Sequence, residues 1–356
     1  MLNFVFGNLY GFPVSCVCMM IHTIEEAISR LRYVQLDSEY PPSQIVHMIL
    51  AGGSSQPLYN VFRGEFEPAV EFLCKRTREI ASYPIPGGVV REEHGRPFFS
   101  KGFGRSFTAN ERPNEFLGIL ATSGLHLQST GIITDRGTEG TLADMADAAM
   151  VSYALSAEEQ SWSLMLFSVY PGVTSEWKNG RGELMSVERI LASILPLPYG
   201  TGSCFGTHRI EGISFAVSRF CLEQDREPSQ LEGIWKQAYE KVAGAIALMK
   251  RNQKDDGSID RCWFREKSVP RTRAEWAEKI RDIAARRQNP SKAIIYPTGH
   301  CLDAISPLAL FVASEQEWIA SAVYIVAQTI EMQWIQIGRE IKALTHAIHA
   351  LKLIGE

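Results

Sequence analysis

Three histidines stand in matching local contexts: Gly206-Thr207-His208-Arg209-Ile210, Thr298-Gly299-His300-Cys301-Leu302 and Leu344-Thr345-His346-Ala347-Ile348. Each follows a small or hydroxyl residue and opens an apolar run of helical spacing. An imidazole at a helix N-terminus feels the positive end of the helix dipole, which disfavours its charged form. Gathered round one cavity, three neutral imidazoles are suited to ligate a metal, act as a base or hydrogen-bond a ligand. His208, His300 and His346 are therefore the candidate catalytic residues. Thr207 and Thr345 add hydroxyls, and the first N–H groups of a helix favour an anionic head group.

Glu211 and Asp303 each follow one of these histidines by three positions, the spacing of a same-face acid/base pair. The plainer expectation is a solvated Glu211 and an Asp303 hydrogen-bonded between helices, with Asp303 also a candidate ligand contact. His349 follows His346 by three and shares its helix face. The competing reading makes each histidine a staple that joins neighbouring hairpins.

The elements that must position these residues read almost entirely as helix. His208 to His300 is 92 residues and His300 to His346 is 46, one spacing twice the other. Used as a ruler, a step of 46 gives the register Phe116, Trp162, His208, Lys254, His300 and His346. Six such positions, each with a partner helix, predict an all-α chain folded as an (α/α)6 toroid. An irregular bundle or open solenoid is the alternative. Phe116 and Trp162 are the aromatic candidates for lining an apolar cavity. Gln44-Ile45-Val46-His47-Met48-Ile49 resembles a further copy but is out of step.

No stretch alternates long enough to require a sheet. Residues 83–112, rich in Pro, Gly and charge, form the one long non-helical insertion. Ser186 is the expected cap of a helix to Leu195 with Glu188 in its first turn. A long helix from Glu317 to about Leu353 is expected to break near Leu344-Thr345.

The helix Leu231–Asn252 is followed by Gln253-Lys254-Asp255-Asp256-Gly257-Ser258-Ile259. This resembles the Gln-x-x-Asp-Gly-Ser-Trp turn of the terpenoid cyclase and protein prenyltransferase toroids, with Ile259 in the aromatic's place. Gly257 permits the turn, and Gln253 can brace adjacent hairpins. With the segments around His208 and His300, the pattern is similar to bacterial proteins of that toroid, from Asn114 to the C-terminus. The resemblance implies a central cavity for a small, largely apolar, isoprenoid-like ligand with an anionic head, and transferase or cyclase-type chemistry. It also implies a zinc site of Asp260, Cys262 and His300, since prenyltransferases use an Asp-x-Cys pair and a later histidine. The Asp-x-Asp-Asp acid of the class II cyclases is absent. A helical scaffold or peptide-binding protein without catalysis is the other functional reading.

The 356 residues fit one domain if the repeats close on themselves. A net charge of −4 without a basic stripe excludes an electrostatic footprint for nucleic acid. Seven cysteines without small-scaffold spacing predict reduced thiols. Residues 1–20 are apolar but interrupted by Asn3, Asn8 and Pro13, with no Lys or Arg before Arg30. They match neither a signal peptide nor a membrane span, which sets a cytoplasmic expectation and leaves this segment's role open.

Overall fold

Helices build most of the described chain, with short two-stranded hairpins between some of them. The computed structural model describes residues 14–29, 36–38, 40, 42–61, 63–75, 89–99, 114–155, 159–265, 273–274, 277, 280–281, 289–311, 316–337 and 341–355. The chain is mostly helical. It divides into two units: one of Met1–Val34, Pro198–Ser214 and Gln237–Glu356, the other of Gln35–Leu197 and Phe215–Lys236.

Helix α1 (Val14–Ser29) belongs to the first unit. The second unit repeats one motif, a helix, a two-stranded hairpin and a partner helix. The first copy is α2 (Pro42–Gly52), β1 (Pro57–Asn60) with β2 (Glu65–Pro68), and α3 (Ala69–Lys75). A further hairpin follows, β3 (Val90–Glu93) with β4 (Arg96–Phe99). The second copy is α4 (Glu115–Thr122), β5 (Gly131–Ile133) with β6 (Glu139–Thr141), and α5 (Leu142–Ser152). The third is α6 (Ser161–Phe167), β7 (Glu176–Lys178) with β8 (Leu184–Ser186), and α7 (Val187–Ile194). Helix α8 (Thr207–Glu223) follows; its residues to Ser214 belong to the first unit and those from Phe215 to the second.

Helices α4, α6 and α8 start at 115, 161 and 207, two steps of 46, with Phe116, Trp162 and His208 each in second place. The starts of α2 and α4 lie 73 apart, so His47 sits in a true copy whose register is displaced by 27 inserted residues. Part of that insertion, 89–99, carries β3 and β4; the rest of 83–112 lies outside the described residues.

All four hairpins correct the expectation of a sheet-free chain. Strands of three or four residues are too short for period-two alternation to register. Partner helices α5 and α7 start directly from the second strands because a hydroxyl caps each of them. Thr141 and Asp144 form a reciprocal capping box on α5, and Ser186 accepts from the Arg189 N–H on α7, each worth about 1 kcal/mol. Copies pack tightly: a Cβ on Gly118 of α4 would lie 2.7 Å from the Trp162 carbonyl of α6.

The first unit also contains α9 (Gly233–Arg251, from Gln237 onward), α10 (Pro290–Ile305), α11 (Gln316–Ile337) and α12 (Ile341–Gly355). Leu344-Thr345 lies inside α12, so the break expected there is not found. Gln253 performs the expected bracing: its Nε2 donates to the Gly257 carbonyl and to Trp318 of α11, both at 2.8 Å. The Ile259 N–H donates to the buried Thr298 hydroxyl on α10 at 3.0 Å. One short turn therefore fastens two helices. Gly257 has φ +87°, and a Cβ there would meet the Ser321 carbonyl at 2.7 Å.

Among the described residues, no helix is long and apolar enough to cross a membrane. Gly257→Ala is expected to cost about 2–4 kcal/mol, from left-handed strain plus the clash. Denaturant unfolding would measure it, and an unchanged midpoint would show that the turn is not seated against α11.

Candidate functional site

The thiol of Cys204 stands at the centre of the site, held by an unusual backbone. Gly202, Cys204, Phe205 and Gly206 have φ of +95°, +48°, +58° and +77°. A left-handed conformation costs roughly 1–2 kcal/mol for each residue with a Cβ, and such strain collects where geometry serves function. Gly206 is required sterically, since a Cβ would lie 2.8 Å from the Gly200 N. Helix α8 starts at once, with the Thr207 hydroxyl donating to the Cys204 carbonyl at 2.7 Å. Thr207 therefore fixes the turn, and Thr345 is fully buried within α12.

The turn delivers the Cys204 sulfur to 3.1 Å from His208 Nε2. On the ring's other side, Nδ1 lies 2.9 Å from Glu211 Oε2. Glu211 is 3 % exposed, so the expectation of a solvated carboxylate is overturned: α8 turns this residue inward beside its histidine. Cysteine, histidine and glutamate thus form a continuous relay within one turn and one helix. The Tyr296 hydroxyl lies 3.3 Å from the same sulfur.

Helices α10 and α12 supply the rest. A Cβ on Gly299 would lie 2.8 Å from the Ala347 Cβ, so the helices meet where both residues are small. The adjacent rings, His300 and His346, approach to 4.1 Å between centroids, and His208 lies 5.4 and 5.2 Å from them. The three histidines singled out by spacing are thus brought together. They do not all open helices: His208 is second in α8, but His300 lies ten residues beyond the start of α10 and His346 five beyond that of α12.

Each ring is oriented through Nδ1. His300 donates from it to the Tyr296 carbonyl at 2.8 Å, and His346 and His349 donate to the two oxygens of Asp303, both at 2.6 Å. Asp303 is the inter-helix hydrogen-bonding residue expected. A carboxylate or carbonyl at Nδ1 fixes the proton there in a neutral ring and leaves Nε2 with a lone pair.

Burial alone would push the Cys204 thiol up, but His208 and His300 outweigh it and hold the thiol well below its ordinary value. Burial likewise works against a charged His208, yet Cys204 and Glu211 raise it well above the usual imidazole value. This is the reverse of the helix-dipole expectation, because two anionic partners outweigh the dipole. Burial and the neighbouring His300 lower His346 against the pull of Asp303. Asp303 is held below the carboxylate range as His349 and His346 overcome burial, and His349 is raised as Asp303 overcomes burial.

Other candidates fall elsewhere. Asp260 accepts from the Cys262 N–H at 2.9 Å and pairs with Lys254 at 2.9 Å. Among the described residues, the potential metal-ligand groups are Cys204, His208, His300 and Glu211, Asp303, His346. The expected set of Asp260, Cys262 and His300 is therefore not assembled; Asp260 serves its own turn. Phe116 and Trp162 are buried in the second unit, where Phe116 packs edge-on to Phe99 at 5.7 Å. No family model, curated protein or solved structure matches the chain.

Asp303 is buried with two histidine partners, so Asp303→Ala is expected to destabilise by roughly 3–5 kcal/mol. Its depressed value adds stability above about pH 4, lost as pH falls further, while the raised His349 adds stability below about pH 6.5, lost as pH rises through its folded value. Stability of the chelator-treated protein should therefore fall as pH rises above about 6.5, with the raised His208 adding a loss of the same sign, and His349→Gln should reduce that slope. His346, Glu211 and Lys352 also face this pair. An unchanged slope would show that His349 is uncharged in the folded protein.

Proposed function

We propose that the protein is a thiol-dependent enzyme in which Cys204 is the nucleophile, His208 the acid/base and Glu211 the residue that orients His208. The observation carrying this reading is the continuous relay, with sulfur 3.1 Å from Nε2 and Nδ1 2.9 Å from the carboxylate. A nucleophile within reach of a base that is itself oriented by a third group is the general arrangement for covalent catalysis. The left-handed turn supports it by presenting the sulfur ahead of α8, where the helix dipole favours a thiolate.

The chemistry is acyl transfer. The thiolate attacks the carbonyl carbon of an ester or thioester; the S–C bond forms, the bond to the leaving group breaks, and His208 gives that group its proton. Water or an acceptor hydroxyl then loses a proton to His208 as it attacks the thioester, releasing the acyl group and the thiolate. An acyl thioester of an anionic carrier matches the apolar tail and anionic head implied by the toroid resemblance. The braced turn and the 46-residue step support arranging these helices as the α/α toroid itself.

The test is alkylation by iodoacetamide at neutral pH with peptide mapping. Cys74 is pushed up to about 12 by burial, and Cys301 and Cys221 are also raised, so these thiols serve as internal controls. Cys204 should label at least about tenfold faster than any of them, and His208→Ala should remove the difference. Trapping of an acyl group on Cys204 from a p-nitrophenyl ester should fall about 10²–10⁴-fold in His208→Ala. Labelling of Cys204 no faster than the controls would overturn the proposal and favour the scaffold reading.

A further inference from the structure

The same cradle has a second capacity. Cys204, His208 and His300 each offer a ligand atom, and all three atoms lie within 4.8 Å of one another. A tetrahedral zinc ion, with bonds of about 2.3 Å to sulfur and 2.0–2.1 Å to nitrogen, separates such ligands by roughly 3.5 Å. The 3.1 Å contact between Cys204 and His208 needs to open by only a few tenths of an ångström. His208 and His300 already donate from Nδ1 to a carboxylate and a carbonyl, the outer-shell arrangement that directs Nε2 toward a metal.

Charge argues the same way. Glu211 and Asp303 are buried beside the half-buried Cys204 thiol, and the ion pairs of both carboxylates among the described residues are with histidines alone. Buried anions that lack a lysine or arginine are commonly balanced by a metal. One thiolate and two imidazoles select a zinc-class ion over magnesium or calcium.

We propose that Cys204, His208 and His300 bind one zinc-class divalent ion, and that this ion holds the thiol chemistry off. With Cys204 and His208 on the metal, the nucleophile's lone pair and the base's nitrogen are both engaged; loss of the ion restores the relay. The binding site stands on the ligand geometry, whereas the inhibition rests on the thiol-enzyme reading.

The experiment uses full-length, untagged protein, stripped with chelator and titrated with zinc or cobalt(II). About one ion per chain is expected, and the cobalt form should show a thiolate-to-cobalt charge-transfer band that Cys204→Ser abolishes. Glu211→Gln keeps all three ligands and should weaken zinc binding about 10–100-fold, with circular dichroism reporting its fold. Zinc should protect Cys204 from iodoacetamide, and chelator should restore labelling. Absence of stoichiometric binding, or binding indifferent to Cys204→Ser and His300→Ala, overturns the site. Binding with a cobalt–thiolate band but a stripped Cys204 that stays unreactive upholds the site, and overturns the inhibition together with the thiol-enzyme reading.

Discussion

Close approach of α10 and α12 at Gly299 and Ala347 is the constraint on which the site depends. Only where both side chains are nearly absent can two helices come near enough for the tilted His300 and His346 rings to approach to 4.1 Å. Asp303, one turn further along α10, then reaches His346 and His349 on α12 and locks the pair in register. Enlarging Gly299 would act on the chemistry indirectly, by separating the rings.

A largely buried group of one thiol, four histidines and two carboxylates, with only Cys204 and His349 half-buried, is costly to desolvate, and it persists because its polar atoms find one another. Glu211 and Asp303 do equivalent work from different helices, each holding an imidazole by its Nδ1. They leave their histidines in opposite electrostatic situations. His208 has both a thiol and a carboxylate and is drawn toward the charged form, while His346 is deeply buried beside His300 and is drawn toward the neutral one despite Asp303. Two similar carboxylate–histidine pairs thus acquire different acid strengths from their second neighbours.

The helix starts at 115, 161 and 207 were legible because a repeated structural unit leaves a fixed step. His300 and His346 kept the step in number while sitting deeper in their helices, so the ruler found the right residues for partly the wrong reason. The hairpins were illegible at three or four residues per strand. Cys204 was passed over because its environment comes from a left-handed turn that residue types alone do not announce. A usable signal existed in Cys204, His208 and Glu211, which stand four and then three positions apart. Asp260 and Cys262 had matching types on a turn that spends the carboxylate locally.

The displaced first copy in the second unit has a wider meaning. Its internal layout agrees with the other two within a residue or so, although 27 extra residues separate it from the next copy. The extra residues fall at a junction between copies, and the spacing inside each copy is unaffected. The architecture is therefore modular: new sequence enters between units without disturbing helix-to-helix contacts within them. Such junctions give the chain places to acquire new recognition segments while the buried histidines keep their positions.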